Sequence, residues 1–287
     1  MIKKLCKFVG VLSLVLFSFF YTDQAVNIVK RNDPIMKTIK EVSKNYEIDS
    51  VSAIIENDEI ISGVNGVSVD IDKSYEKMKE ANGFYESMLI FNEVVPDTSI
   101  LNTYDKFVVK GNLTRSEISL VFKIDDLNSL EKVYRTLLEK NTLATFFIDG
   151  TVLENNSDLM YEIVKDGYEI ENFGYNDDYT KQMFDWTNNL IFSLTNMNPK
   201  FCYSEYNNYD ILDLCKENKM YTVKPFVVNS SPFTTIKNNL SSGMIYSLSP
   251  TEEVIKELPT IITYIKQKGY DLVNLEEVIS ENRTLEK

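Results

Sequence analysis

The sequence predicts an α/β fold built on parallel strands, and two observations carry that prediction. From Ile118 onward, apolar runs of strand length alternate with amphipathic helical segments. Strands separated by helices pair in parallel through right-handed crossovers. The 287-residue chain is 44% hydrophobic and 12% aromatic, so it can fill a sizeable core.

Each element has its own local signal. Lys3, Lys4 and Lys7 precede the apolar run Phe8 to Phe20, the pattern of a segment that directs the downstream chain across a membrane. No small-x-small cleavage site succeeds the run, and with Lys7 snorkelling the stretch Leu5 to Thr22 reaches the spanning minimum of about 17 residues. Residues 1–22 therefore read as a signal anchor. The rest lies outside the cytoplasm on a single-pass membrane protein, with secretion after cleavage as the alternative. Residues 23–47 read as a stalk, in which Asp33-Pro34 starts a helix carrying Ile35, Ile39 and Val42 on one side. Residues 48–112 read as a small α+β domain with strands at 51–55, 59–61, 87–95 and 106–110 and a helix capped by Asp72. Residues 113–287 hold the alternating series. Its strands are expected at 118–124, 143–148, 168–170, 201–203, 221–228 and 244–248. Its helices are expected at 130–139, 156–166, 181–195, 211–218 and 251–268. Periodicity does not choose between a barrel and a doubly wound sheet.

Composition narrows the partners. A net charge of -13 excludes nucleic acid and anionic lipid as principal partners, since both reward clustered Lys and Arg. Of the three cysteines Cys6 lies in the leader, and Cys202 and Cys215 are expected as small buried thiols rather than as a disulfide. Asn112-Leu113-Thr114 is a glycosylation acceptor pattern, relevant only in a glycosylating host. The chain has no histidine. That absence bears on chemistry, because imidazole is the side chain that titrates near neutrality and binds zinc through nitrogen.

Four segments, in order, resemble the polysaccharide deacetylase (NodB-homology) family. Ser119 to Asp126 is similar to its first motif, a strand ending in two aspartates. Ala144-Thr145-Phe146-Phe147-Ile148-Asp149-Gly150 is similar to its ATFFVxG strand. Gly167 to Asp177 resembles GHEIGNHTxxH, and Leu258 to Leu275 resembles the closing helix and strand. The resemblance covers Ile118 to Ile279 and implies a distorted (β/α) barrel. It also implies removal of N-acetyl groups from glycans by water activated on a bound metal. Asp125 falls at the family's base position and Asp126 at its carboxylate-ligand position. The two histidine ligands are replaced by Phe173 and Asp177, the base-orienting arginine by Cys202, and the acid histidine by Ser249, followed by Pro250.

These replacements predict a catalytically inactive member that binds or senses cell-envelope glycan, or serves envelope enzymes as a scaffold. No cofactor is expected, and zinc least of all. Asp126 and Asp177, with Asn176 or Asp178, would at most hold Mg²⁺ or Ca²⁺ weakly. Tyr175, Tyr203, Tyr206 and Ser249 are the expected glycan contacts, among tyrosines including Tyr168 and Tyr179 that map near the groove. Two alternatives are a hydrolase with an all-carboxylate metal site, and a structural interaction protein whose groove is filled.

Overall fold

The computed structural model describes residues 17–18, 28–176 and 178–283. The expected anchor over 1–22 falls almost wholly outside that range. Among the described residues no helix is long and apolar enough to cross a membrane. The chain divides into two compact units, Met1–Asp49 with Gly66–Val94, and Ser50–Asn65 with Val95–Lys287.

Helix α1 (Pro34–Ser43) opens the smaller unit. Asp33 caps it by accepting from the Ile35 N–H at 2.9 Å, and Pro34 takes the first turn, where its missing N–H costs nothing. The chain then supplies the larger unit with β1 (Ile54–Glu56) and β2 (Glu59–Ile61), an antiparallel pair. It continues in the smaller unit with β3 (Gly66–Val69), α2 (Ile71–Glu80) and β4 (Phe91–Val94), with β3 and β4 antiparallel. Met36 and Ile39 of α1 are buried with Tyr75 and Met78 of α2. The expected stalk is thus part of a packed core. Asp70, two residues before the expected Asp72, caps α2 through the Lys73 N–H.

The larger unit continues with β5 (Phe107–Lys110), β6 (Glu117–Ile124), α3 (Leu127–Glu139), β7 (Thr145–Ile148), α4 (Gly150–Glu154) and α5 (Ser157–Lys165). Next come β8 (Glu169–Asn172), α6 (Lys181–Thr195), β9 (Phe201–Tyr203), α7 (Tyr209–Glu217), β10 (Tyr221–Val223) and β11 (Phe226–Val228). The series ends with α8 (Pro232–Asn238), β12 (Ile245–Leu248), α9 (Glu252–Gln267), β13 (Asp271–Val273) and α10 (Leu275–Ile279). The strands lie in the order β1-β2-β5-β10-β9-β8-β7-β6-β12-β11, with β13 also on β6, and every pair but β1–β2 is parallel. The boundary expected at 112/113 differs from this arrangement. Strands β1, β2 and β5 extend the same sheet, because β5 finds its partners on β2 and β10.

One connection dictates the shape. Strands β10 and β11 are far apart in the sheet order, yet only Lys224 and Pro225 separate them. Three Cα steps reach at most about 11 Å, so the sheet must curl until its two regions nearly meet. Pro225 has no N–H to donate, so it ends the single strand expected over 221–228. Alternation along β6 then sorts the core. Leu120, Phe122 and Ile124 face the helices, while Val121 faces the interior of the curl with Phe147, Tyr203, Val223 and Ile245.

Buried polar side chains tie the loops. Asn112 donates from its side-chain amide to the Gly63 carbonyl at 2.6 Å and accepts from the Thr114 N–H at 2.7 Å. On β8, Glu171 accepts from the N–H groups of Lys200 and Phe201 at 2.8 and 2.9 Å. Glu169 accepts from Leu275 and Glu276 at 3.0 and 3.1 Å. Burial pushes Glu169 up to about 7 and Glu171 well above the usual carboxylate range.

Candidate functional site

Parallel strands of an α/β barrel present chemistry at their C-terminal ends. Here β6 ends in Asp125 and Asp126, which do different work. Asp125 is exposed and makes no hydrogen bond or ion pair among the described residues. Asp126 is the N-cap of α3, one oxygen accepting from the Asn128 N–H at 3.3 Å and the other from Ser129 at 2.8 Å. Ser129, through its hydroxyl and its N–H, holds the Asp126 carboxyl below the usual range. Both oxygens of the expected ligand are therefore turned toward a helix terminus.

Phe173 lies just after β8 and packs edge-on against Tyr203 at 5.5 Å and Tyr179 at 6.2 Å. Tyr203, expected as a glycan contact, is only 3% exposed. Its ring lies 5.4 Å from Phe147 and its hydroxyl 2.8 Å from Ser247 Oγ, and burial raises its pKa well above the usual phenol value. Above it the Lys123 ammonium pairs with Glu205 and stands 5.6 Å from the Tyr203 centroid. The interior under the strand ends is thus filled by an aromatic stack with an ion pair over it.

The remaining expected residues are scattered in role. Tyr175 packs against Gly150, where a Cβ would come within 2.5 Å of the ring, and its hydroxyl donates to Glu154 at 2.9 Å. Trp186 donates to the same carboxylate at 3.1 Å. Tyr206, 68% exposed, presents its ring to solvent, while its carbonyl accepts from the Ser204 hydroxyl. Ser249 is half-buried, its carbonyl accepting from the Thr251 N–H at 2.7 Å. Tyr168 lies in the outer core beside Tyr134 and Phe146 because it precedes β8 rather than succeeding it. Asp177 lies outside the described residues. Cys202 and Cys215 form a disulfide, contrary to the expected free thiols, because packing α7 against β9 and β10 brings their Cα atoms to 6.3 Å.

The residues present do not fit a zinc site. No imidazole is available, Asp126 is committed to its cap, Phe173 offers a ring, and Cys202 is oxidised. Among the described residues no three of His, Cys, Asp and Glu cluster to hold a metal. Sequence reasoning missed Lys123, Glu205 and Ser247. The signal for Lys123 existed, since Ser119, Val121 and Lys123 share one face of β6 by period two.

Residues 110–218 match the polysaccharide deacetylase family. Over those residues the chain is similar to polysaccharide deacetylases. Across 91% of its length it is 28% identical to the uncharacterized protein YlxY of Bacillus subtilis, covering 88% of that protein. The BA3943 protein of Bacillus anthracis, a CE4 family pseudoenzyme, shares its fold with a TM-score of 0.67 at 23% identity, over 88% of this chain and 97% of that one. A BA3943 mutant with restored enzymatic activity superposes equally well. The Bc1960 peptidoglycan N-acetylglucosamine deacetylase matches over 62% of this chain and 95% of its own, at 20% identity and a TM-score of 0.56. The deacetylase likeness thus extends from the family match to a curled α/β fold shared with both active and inactive proteins.

Proposed function

We propose that this polysaccharide deacetylase-like protein is catalytically inactive and acts outside the cytoplasm by binding cell-envelope glycan rather than cleaving its acetyl groups. One observation carries the reading: both carboxylate oxygens of Asp126 accept from the N-terminus of α3 while the Phe173 ring packs against Tyr203 and Tyr179. A metal-bound hydroxide needs a metal, and general acid–base assistance is worth about 10²–10⁴-fold in addition. With Ser249 and Phe173 in place of imidazoles, this chain supplies neither. The likeness to a CE4 pseudoenzyme supports the reading, as does the fold shared with a peptidoglycan N-acetylglucosamine deacetylase. The Cys202–Cys215 disulfide supports an oxidising, extracytoplasmic location, in agreement with the basic-then-apolar leader.

Two measurements test it. Purified protein supplied with zinc should release no acetate from chitooligosaccharides or peptidoglycan, yet sediment with insoluble peptidoglycan. Turnover abolished by a chelator and by Asp125→Asn would establish an enzyme instead. In cells the protein should fractionate with membranes and be digested by external protease. A soluble cytoplasmic pool with Cys202 and Cys215 reduced would overturn the location.

A further inference from the structure

The filled interior at the C-terminal strand ends contrasts with the opposite end of the same unit. There the first residues of β9 and β10, Phe201 and Tyr221, border a cavity of about 340 Å³. That size lies within the span of ligand pockets, about 300–1,000 Å³. Tyr104 and Tyr221 line it as a ring pair, centroids 4.8 Å apart and planes tilted 38°. Leu101 and Val95, 61% and 53% exposed, stand at its rim. One wall is rigidly held: the buried Glu281 carboxylate accepts from the Gly63 and Ile100 N–H groups at 2.9 and 3.0 Å and from the Ser99 hydroxyl.

Charge and amides continue the site. Lys200 is paired with Glu276, whereas Lys219, set at a positive φ of 56° in the turn before β10, has no ion-pair partner among the described residues. Both lysines also line an adjoining depression that holds Asn189 and Asn198. Side-chain amides offer a donor and an acceptor each, the pairing that acetamido and hydroxyl groups require. Aromatic faces suit the apolar faces of sugar rings. Beside the carboxylates of Asp185, Glu276 and Glu281, the Lys219 ammonium, which has no ion-pair partner among the described residues, offers an anionic substituent a partner.

We propose that this face, and not the end carrying Asp125, binds an N-acetylated glycan bearing carboxylate substituents, with a sugar ring on Tyr104 and Tyr221 and its carboxylate at Lys219. The inference rests on the glycan-binding reading above and relocates the contact. The probes are the N-acetylglucosamine–N-acetylmuramic acid disaccharide, which carries a carboxylate, and neutral chitotetraose, titrated by calorimetry at low ionic strength. Lys219→Glu should weaken the acidic disaccharide about tenfold while changing the neutral sugar less than about twofold. Tyr104→Ala should weaken both about tenfold. Tyr206→Ala, at the other end of the strands, should change neither, and unaltered melting temperatures establish that each variant is folded. Unchanged affinity in folded Lys219→Glu and Tyr104→Ala, with binding otherwise intact, overturns this inference and leaves the glycan reading standing. Loss confined to Tyr206→Ala also overturns it. Failure of the wild-type protein to bind either sugar overturns both.

Discussion

The Cys202–Cys215 disulfide offers the sharpest energetic test. It closes a loop of sequence separation 13 between β9 and α7, with both sulfurs in the core. Chain entropy for a loop of that size corresponds to about 3 kcal/mol of stabilisation at 25 °C, chiefly by restricting the unfolded chain. Replacing both cysteines by alanine retains small apolar side chains beside Phe184 and Met220, so the loss should be mostly that entropic contribution. For a unit of this size about 3 kcal/mol corresponds to roughly 6–12 °C in melting temperature. Cys202→Ala with Cys215→Ala should therefore lower the main transition by that amount, measured by circular dichroism. Wild-type protein melted in reductant should match the variant. Thiol titration supplies an independent count: the denatured, unreduced full chain should expose one thiol, Cys6, and three after reduction. A variant that melts with the wild type, or three thiols titrating without reductant, would refute the reasoning.

Three further outcomes are expected. Glu169 and Glu171 have folded pKa values raised by burial, so the folded state holds their protons more tightly than the unfolded state does. For Glu169 that contribution is fully present below about 4.5 and is lost as pH rises through about 7, with a limiting slope near 1.4 kcal/mol per pH unit. Urea midpoints measured against pH should show the decline, and Glu169→Gln should flatten it. Asp126→Ala should cost about 1 kcal/mol by uncapping α3, whereas Asp125→Asn should leave the urea midpoint unchanged. Phe173→His with Asp177→His should raise zinc affinity by calorimetry without producing acetate release, since Cys202 and Ser249 leave base and acid unsupported and lost outer partners alone cost about 10–100-fold. Equal weak zinc binding by variant and wild type would mean that these positions do not converge.

What was legible in the sequence was local. Asp33-Pro34 marks a helix start because the cap and the proline act within one turn, and β6, α6 and β9 are readable from short-range periodicity. The division into units was not legible. Strand β2 pairs with β5 across the inserted segment Gly66–Val94 of the smaller unit, and composition does not register such pairing. No element was expected between 229 and 243, although Pro232 opens α8 there. At the candidate site, adjacent Asp125 and Asp126 were legible as a strand end. Their division into a free carboxylate and a helix cap depended on where α3 begins. The filling of the interior by Tyr203 required knowing that β7, β9 and β12 converge, which is long-range information.

Asn112 carries a consequence for producing the protein. The nitrogen to which an N-linked sugar would be attached is the one that donates to Gly63 inside the fold, and the residue is 1% exposed. A eukaryotic secretory host that modified this sequon as the chain emerged would place a bulky, hydrated group where the turn at Gly63 must close. Chains glycosylated there could not complete the larger unit, and the host's quality control would retain them. Thr114→Ala abolishes the acceptor pattern while leaving Asn112 in place. In such a host it should secrete more folded protein than the wild type does. A folded, secreted fraction with glycan on Asn112 would contradict the burial of that side chain. Bacterial hosts lacking that machinery should make both forms alike.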